Sequence, residues 1–468
     1  MRVERDTLGE VQVPDEALWG AQTQRAVENY PVSGLREHPV FIRAFVYLKK
    51  AAALANRELG TLDPKLSEAI VQAADTVLDN FEQYRAQFPV DVFQAGAGTS
   101  FNMSVNEVLA NLANVAMGGK LGDNKPVHPN DHVNMSQSTN DVFPTALRVS
   151  TIMLLSQLMP ELTRLGVAFD EKGDEFASVI KSGRTHLQDA VPVTLGQEMK
   201  AYAAAIKRCE RHLLDASHDV YELAIGGTAA GTGMNAPVGY RHVVVRHLNE
   251  LTNLTFRPQR DLREGMQSQL PVVAVSATMR NLALELTRIT NDLRLLASGP
   301  QTGLAEILLP AVQPGSSIMP GKVNPSMLEA MNQILFHIIG AATAIDYASQ
   351  AGQLELNVMM PLMAFELTFS IEILKNYLPV FTEKCIRGIQ ADRERCEAYY
   401  ISSPSLATAL NPIIGYAAAA EIAKESAKSG RPIPELIRER NLIPEEKIAE
   451  IFTPEFLAGQ ADRENGGA

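Results

Sequence analysis

The chain has 468 residues, 46% of them hydrophobic, and a formal net charge of -12. This length predicts two or three domains with a large core, and the mixed acidic and basic residues form no basic stripe that would bind a nucleic acid. The charged start, Met1 to Asp6, lacks the apolar run of a secretory signal, and we expect no membrane span and a cytoplasmic location. Three cysteines without a short-spaced pair argue against a disulfide framework or a zinc cluster.

Helical periodicity dominates the chain, beginning with Phe41 to Leu59, which ends at Gly60 as a helix cap requires. The longest pattern, Val272 to Ser298, has apolar residues three and four apart for roughly 40 Å of helix. Strand signals are scarce. We predict a mostly α-helical fold with one long central bundle, to which four further helical patterns belong: 160–182, 197–223, 324–350 and one that begins near Leu354 and bends at Pro361.

The arrangement of these patterns predicts three domains. Residues 1–136 mix short helices with turns, residues 137–393 form the long-helix bundle, and residues 394–468, interrupted by prolines, form a small C-terminal helical domain. Bundle segments such as 201–206 and 334–344 are apolar over more than one helix face, which exceeds what a monomeric bundle buries. The surplus predicts burial between subunits.

Two clusters of polar residues precede predicted helices and are candidate binding segments. The glycines of Gly96 to Ser100 leave backbone N–H groups able to face an anion, although a simple capping loop explains them equally well. Ser136 to Asp141 places hydroxyl and amide groups just before Pro144, a residue suited to the first turn of a helix. Because a cap needs only one of these side chains, their density favours a carboxylate held by hydrogen bonds.

A third cluster, Gly183 to Asp189, contains His186, which can transfer a proton at neutral pH, and follows a helix predicted to end near Ser182. From the residues alone, a structural histidine remains an open alternative. His128 and His132 are spaced like helical metal ligands, but the proline between them places them in a turn. We therefore predict no metal site.

The fourth cluster, Gly315 to Pro325, is a loop with glycines and prolines that also carries two serines, a lysine and an asparagine. Hinge residues combined with functional groups are typical of a lid that closes over a substrate. An ordinary mobile connection would explain the glycines and prolines but not these side chains.

This loop matches the signature of the fumarase/aspartase superfamily, and the chain resembles that family from Gly20–Thr23 to Leu410–Pro412. The other three clusters fall in the order of the family's substrate-binding segments. The resemblance implies a three-domain, mostly helical subunit and a homotetramer with a twenty-helix core, in which each active site gathers segments from three subunits. It also implies elimination of a C2 substituent from a small dicarboxylate to release fumarate, without a cofactor.

Within the superfamily, the chain resembles the aspartase branch, which releases ammonia from L-aspartate, more than class II fumarases, which release water from malate. The resemblance rests on four segments: Gly-Ala-Gly-Thr-Ser at 96–100, Ser-Thr-Asn at 138–140, Met-Asn-Gln at 331–333, and 351–357. Three departures, Gln301, Ala341-Ala342 and Met360, leave room for a modified aspartate as substrate. A class II fumarase is the alternative function. A purely structural role, as in lens proteins derived from a related lyase, would leave Ser316, Lys322 and His186 without a use.

The resemblance also assigns roles to individual residues. Ser316 is the expected base that removes the C3 proton, Asn140 and His186 lie near the departing amine, and Glu329 orients His186. A free serine hydroxyl is too weakly acidic for this role, so lid closure, backbone N–H groups around Gly315 to Ser317 and the charge of Lys322 are expected to stabilise its alkoxide. The remaining residues hold the two carboxylates: Thr99, Ser138, Thr139 and Ser317 bind the one that becomes the aci-carboxylate, and Thr185, Lys322 and Asn324 bind the other.

Overall fold

The fold is mostly α-helical, as predicted, in a computed structural model that describes residues 1–459. The helices are α1 Ala21–Asn29, α2 Pro39–Glu58, α3 Pro64–Asp79, α4 Phe81–Tyr84, α5 Thr99–Ala116, α6 Thr139–Glu175, α7 Leu195–Ser217, α8 Tyr240–Thr252, α9 Leu262–Gln267, α10 Leu270–Leu296, α11 Ser326–Gln350, α12 Met360–Phe381, α13 Arg393–Ser402, α14 Asn411–Ile414, α15 Tyr416–Ser429, α16 Ile433–Glu439, α17 Glu445–Ile451 and α18 Pro454–Leu457.

The strands of the described residues form four two-stranded sheets. Three of the pairs are antiparallel and one, β5 with β6, is parallel. The pairs are β1 Arg2–Asp6 with β2 Gly9–Val13, β3 Ile180–Thr185 with β4 Gln188–Thr194, β5 Glu222–Leu223 with β6 Arg257–Pro258, and β7 Ile307–Leu308 with β8 Gln390–Ala391.

The predicted helices at 41–59, 272–298 and 324–350 are confirmed within two residues at each end by α2, α10 and α11. Two predicted ends are wrong. The pattern predicted for 160–182 belongs to α6, which stops at Glu175, and residues from Ile180 form strand β3. Helix α7 ends at Ser217 rather than at Leu223. The predicted bend at Pro361 is also wrong, because this proline lies in the first turn of α12, where its missing N–H has no partner to lose.

The chain folds into two compact units. Unit 1 comprises Met1–Met159, Arg211–Ala283 and Phe336–Lys375. Unit 2 comprises Pro160–Glu210, Leu284–Leu335 and Asn376–Ala468, the last described as far as residue 459. Several long helices contribute residues to both units, and the division into three domains at residues 136 and 393 stays a prediction.

A cluster of phenylalanine rings forms the core of unit 1 where α2, α5 and α6 meet. Phe41 and Phe45 each pack against Phe101 and Phe143, with ring centroids 5.0–5.7 Å apart. Gly98, which caps α5 with φ of +82°, leaves no room for a side chain, because a Cβ atom there would lie 2.0 Å from the Phe143 ring. The glycine therefore lets the first turns of α5 and α6 approach each other.

In unit 2 a buried group of charges supports the hairpin of β3 and β4. The carboxylate of Glu306, which is fully buried, lies 3.0 Å from Lys181 Nζ and 2.9 Å from Arg184 Nη1. Lys181 also pairs with Glu198 at 2.7 Å. Buried charges persist only when they are paired in this way, so the base of the hairpin has one well-defined position in the unit.

Two helices, α6 and α11, are long and apolar enough by length and composition to span a membrane, contrary to the expectation that no such stretch exists. A core helix of a globular protein passes the same test. The most apolar stretch of α6 is 78% buried inside the protein, whereas that of α11 is 44% buried. Phe336 of α11, which lies in the segment 334–344 predicted to have surplus apolar surface, is exposed, and so is Tyr347, three residues beyond that segment.

Candidate active site

The first predicted cluster forms the N-terminal end of α5. Ala97 and Gly98 both have positive φ, and the Ala97 N–H donates to Val358 O at 2.8 Å. The Phe101 N–H donates to Gln94 Oε1 at 2.9 Å. These contacts fix the turn on both sides, and Thr99 is the exposed first residue of the helix. Its hydroxyl lies at the positive end of a helix dipole, as binding to a carboxylate would require.

The second predicted cluster begins α6 and is joined to a turn that the sequence reasoning missed. The Asp141 carboxylate accepts one hydrogen bond from the Ser138 N–H at 2.9 Å. Its other oxygen accepts from the N–H groups of Gly226 and Thr228 at 3.0 and 2.9 Å. Asn140 Nδ2 donates to Ala229 O at 2.8 Å. Four glycines within residues 226–233 were the signal that could have identified this turn.

A cavity of about 350 Å³ lies between the first turns of α5 and α6 and the glycine-rich turn 226–233. Most of the residues that line it have polar side chains, among them Asn102, Ser138, Thr139, Thr228 and Asn235. Two of the predicted substrate-binding residues, Ser138 and Thr139, therefore face one space inside unit 1. The cavity is large enough for a four-carbon dicarboxylate.

A network of buried amides and charges supports this cavity. Lys49, which is fully buried, donates to Asn134 Oδ1 and to Gln137 Oε1, each at 2.9 Å. Burial lowers the pKa of Lys49 to about 7. Burial also raises the pKa of Asp141 to about 7, although three backbone N–H bonds and the charge of Lys49 act in the opposite direction. Asn102 Nδ2 donates to Thr139 Oγ1 at 3.0 Å, which leaves the Thr139 proton available to a ligand.

The third cluster lies at the tip of a hairpin and not after a helix, so that part of the prediction is wrong. Thr185 of β3 pairs with Gln188 of β4, and the two residues between them, His186 and Leu187, have φ of +55° and +58°. This is the backbone of a two-residue hairpin turn of the type that follows the twist of the strands. Thr185 and His186 are exposed, and the pairing of Arg184 with Glu306 holds the strand that carries them.

The fourth cluster is the loop before α11, and its backbone already surrounds the serine predicted to be the base. Ser316 Oγ accepts from the N–H groups of Ile318 and Met319 at 3.2 and 3.0 Å. The Gly315 N–H donates to Lys322 O at 2.8 Å, and a Cβ atom on Gly315 would lie 2.3 Å from that oxygen. The prediction that backbone N–H groups around Gly315 to Ser317 stabilise this serine is wrong in its residues, because the donors belong to Ile318 and Met319 and the Gly315 N–H is used within the loop.

The remaining loop residues differ in how they are held. Ser317 and Lys322 are exposed, and Lys322 has no ion-pair partner among the described residues. Asn324 Nδ2 donates to Gly315 O at 2.6 Å, so this amide closes the loop on itself. Gly321 has φ of +79°, and a Cβ atom on it would meet nothing within 4 Å, which suits a hinge.

The predicted site residues fall into two groups. Thr99, Ser138, Thr139 and Asn140 belong to unit 1, and Thr185, His186, Ser316, Ser317, Lys322, Asn324 and Glu329 belong to unit 2. Among the described residues no hydrogen bond joins Glu329 to His186, and the orienting role of Glu329 stays a prediction. Residues 1–459 contain no group of three potential metal ligands.

The sequence matches two family models, one described as Lyase over residues 9–340 and one described as Fumarase C C-terminus over residues 406–459. An aspartate ammonia-lyase of Helicobacter pylori strain J99 is 47% identical, with 98% of each chain covered. A class II fumarate hydratase of Thermosynechococcus vestitus is 43% identical, with 98% of each chain covered.

A solved structure described as a fumarate lyase:delta crystallin from Brucella melitensis bound to cobalt superposes with a TM-score of 0.92 at 44% identity. The match covers 96% of this chain and 98% of that chain. The chain therefore belongs to the fumarase/aspartase superfamily, and it is an enzyme of the lyase class.

Proposed function

We propose that the protein is an aspartate ammonia-lyase, which converts L-aspartate reversibly to fumarate and ammonia. The observation that carries the proposal is the loop around Ser316, where two backbone N–H groups donate to the serine oxygen and Lys322 is exposed nearby in the chain. Aspartate ammonia-lyases that are 46–47% identical over nearly the whole chain support this branch of the family.

The difficult step is removal of the C3 proton, because that carbon is only weakly acidic. The electrons are delocalised into the adjacent carboxylate, which becomes a doubly charged aci-carboxylate and needs fixed donors around its oxygens. Thr99 and Thr139 carry hydroxyls at the first turns of α5 and α6, where helix dipoles also favour negative charge. Ser138 and Ser317 supply further hydroxyls to the same carboxylate.

Ser316 takes the C3 proton as an alkoxide. The N–H groups of Ile318 and Met319 stabilise the negative oxygen, and closure of the loop over the substrate excludes water and strengthens the influence of the Lys322 charge. Collapse of the aci-carboxylate then breaks the C2–N bond and releases ammonia. Asn140 and His186 are the groups assigned to the departing amine, and Thr185, Lys322 and Asn324 hold the second carboxylate.

A class II fumarase is the alternative, favoured by the 43% identity to the enzyme of Thermosynechococcus vestitus. The two reactions share the dicarboxylate and differ in the group that leaves C2. Absorbance of fumarate should increase when purified protein is mixed with L-aspartate and not when it is mixed with L-malate. Fumarate from malate alone would establish the fumarase instead, and no product from either would direct attention to modified aspartates and to Met360.

We further propose that the protein is a cytoplasmic homotetramer with active sites shared between subunits. The exposed apolar residues of α11, including Phe336 and Tyr347, support burial by other copies of the chain, as the family resemblance implies. Light scattering of the purified protein should give four times the chain mass of 51.0 kDa. A single 51.0 kDa species with full activity would contradict the shared sites.

A further inference from the structure

Two buried polar atoms of the unit 1 cavity have no hydrogen-bond partner among the described residues. They are Asn102 Oδ1 and Thr228 Oγ1, and both residues line the cavity. Asn102 is 1% exposed and Thr228 is 5% exposed. A buried donor or acceptor without a partner is costly, so these atoms are suited to bind a group that enters the cavity.

The orientation of the Asn102 amide follows from a buried lysine. Lys49 Nζ donates to Asn134 Oδ1, and Asn134 Nδ2 donates to the backbone oxygen of Gln137 at 3.3 Å, so the Asn134 oxygen is fixed as the acceptor. Asn102 Nδ2 donates to the same oxygen at 3.3 Å and to Thr139 Oγ1 at 3.0 Å. If the amide were turned over, its oxygen would face the oxygen of Asn134. Asn102 Oδ1 is therefore fixed as the unpaired atom, and it is an acceptor only.

An acceptor selects a particular end of the substrate. At neutral pH both carboxylates of an amino dicarboxylate are acceptors, and its ammonium group carries the hydrogen-bond donors. Fumarate and succinate have two carboxylates and no donor. Asn102 Oδ1 can therefore gain a bond only from the ammonium group, and this bond would be strengthened by the positive charge.

Thr228 is held close to the same region by an unusual backbone conformation. It is a β-branched residue with φ of +55°, which such residues rarely adopt. Its N–H donates to Asp141 Oδ2, and the next residue, Ala229, accepts from Asn140 Nδ2 at 2.8 Å. Asn140 is the residue assigned to the departing amine. The strain is thus retained at a residue that lines the cavity and whose hydroxyl is buried without a partner among the described residues.

We propose that Asn102 Oδ1 and the Thr228 hydroxyl accept hydrogen bonds from the ammonium group of the substrate and so select an amino dicarboxylate over one without an amino group. This proposal rests on the proposed function. It adds two residues, one on α5 and one in the glycine-rich turn, to the groups that recognise the leaving amine.

The first test removes only the threonine hydroxyl. In Thr228→Val we expect KM for L-aspartate to rise about tenfold, as loss of a hydrogen bond to a charged group predicts. Inhibition by succinate should keep its wild-type constant. Thr228→Ser keeps the hydroxyl and should restore the wild-type KM. Thr382→Val is the matched control, because Thr382 is equally buried, its hydroxyl also lacks a partner among the described residues, and it lies outside the cavity lining.

The second test compares two asparagines one helical turn apart. Asn102 and Asn106 are both buried in α5, both donate to Asn134 Oδ1 at 3.3 Å, and both have an unpaired Oδ1. Only Asn102 lines the cavity. Asn102→Leu should raise the ratio of KM for L-aspartate to the succinate inhibition constant about tenfold. The substitution also removes the hydrogen bond from Asn102 to Thr139. This loss affects L-aspartate and succinate alike, so it cancels in the ratio of the two constants. Asn106→Leu should leave the ratio unchanged.

The outcomes separate this proposal from the proposed function. If the wild-type protein uses L-aspartate but neither Thr228→Val nor Asn102→Leu changes the ratio, the proposal is wrong and the ammonia-lyase stands. Equal weakening of succinate and L-aspartate by Thr228→Val would mean that the hydroxyl binds a carboxylate, which also overturns it. Wild-type release of fumarate from L-malate alone would overturn both. If Thr228→Val does not fold, the comparison of Asn102→Leu with Asn106→Leu tests the proposal by itself.

Discussion

Replacement of Ser316 by alanine is expected to lower kcat for L-aspartate by at least about a thousandfold, within the range that positioned proton transfer contributes. The hydroxyl oxygen accepts two backbone N–H groups, so alanine removes both the base and the acceptor that these groups stabilise. Binding should survive, because the carboxylates are held by other residues. Fumarate formation measured at saturating L-aspartate, together with the succinate inhibition constant, checks both parts of the expectation.

Ser403→Ala provides the control for loss of a serine that caps a turn. Ser403 Oγ accepts from the Ser405 N–H at 3.3 Å and lies in unit 2, as Ser316 does, but outside every predicted site. A comparable change in melting temperature with full activity would separate the chemical role of Ser316 from its structural one. If Ser316→Ala kept more than about a tenth of the wild-type kcat, another group would have to be the base.

The fold could be predicted from the sequence where helices follow the 3.6-residue period of their apolar residues. Helices α2 and α10 show this pattern over most of their length and were located within two residues. The predicted helix ran past the end of α6 because the residues of strand β3 that follow it are also buried, although some of them are polar. Lys181 and Ser182 are buried there, and Lys181 is compensated by Glu306, which lies 125 residues further along the chain. No local pattern reveals such a pair.

The polar clusters of the candidate site could be predicted from the sequence, but the contacts that hold them in position could not. Glycine, serine, threonine and asparagine concentrate at Gly96–Ser100 and Gly315–Pro325 because turns and anion binding both require them. The contacts that position those clusters come from distant residues. Lys49 reaches Asn134, and Asp141 reaches Gly226, each across 85 residues of sequence. Contacts at this range become visible only once the helices have been packed together.

Lys322→Ala is expected to raise KM for L-aspartate at least a hundredfold, as loss of a charge-assisted contact of about 3 kcal/mol predicts. The protein carries a net charge of -12 and the substrate two carboxylates, so long-range attraction does not assist binding. Local donors must supply the affinity, and Lys322 is the only full positive charge among the predicted substrate-binding residues. Lys322 is exposed on its loop, which leaves its ammonium free to meet a carboxylate when the loop closes.

Steady-state measurements at low and high salt distinguish direct binding from a general charge effect. Lys428→Ala removes an exposed positive charge from the last turn of α15 and should leave KM unchanged at both salt concentrations. Lys322→Arg keeps the charge in a different shape and should recover part of the affinity, because a point charge and a planar fork approach a carboxylate differently. A normal KM in Lys322→Ala would show that the second carboxylate is held without this lysine. Binding of that carboxylate would then fall to Thr185 and Asn324 alone.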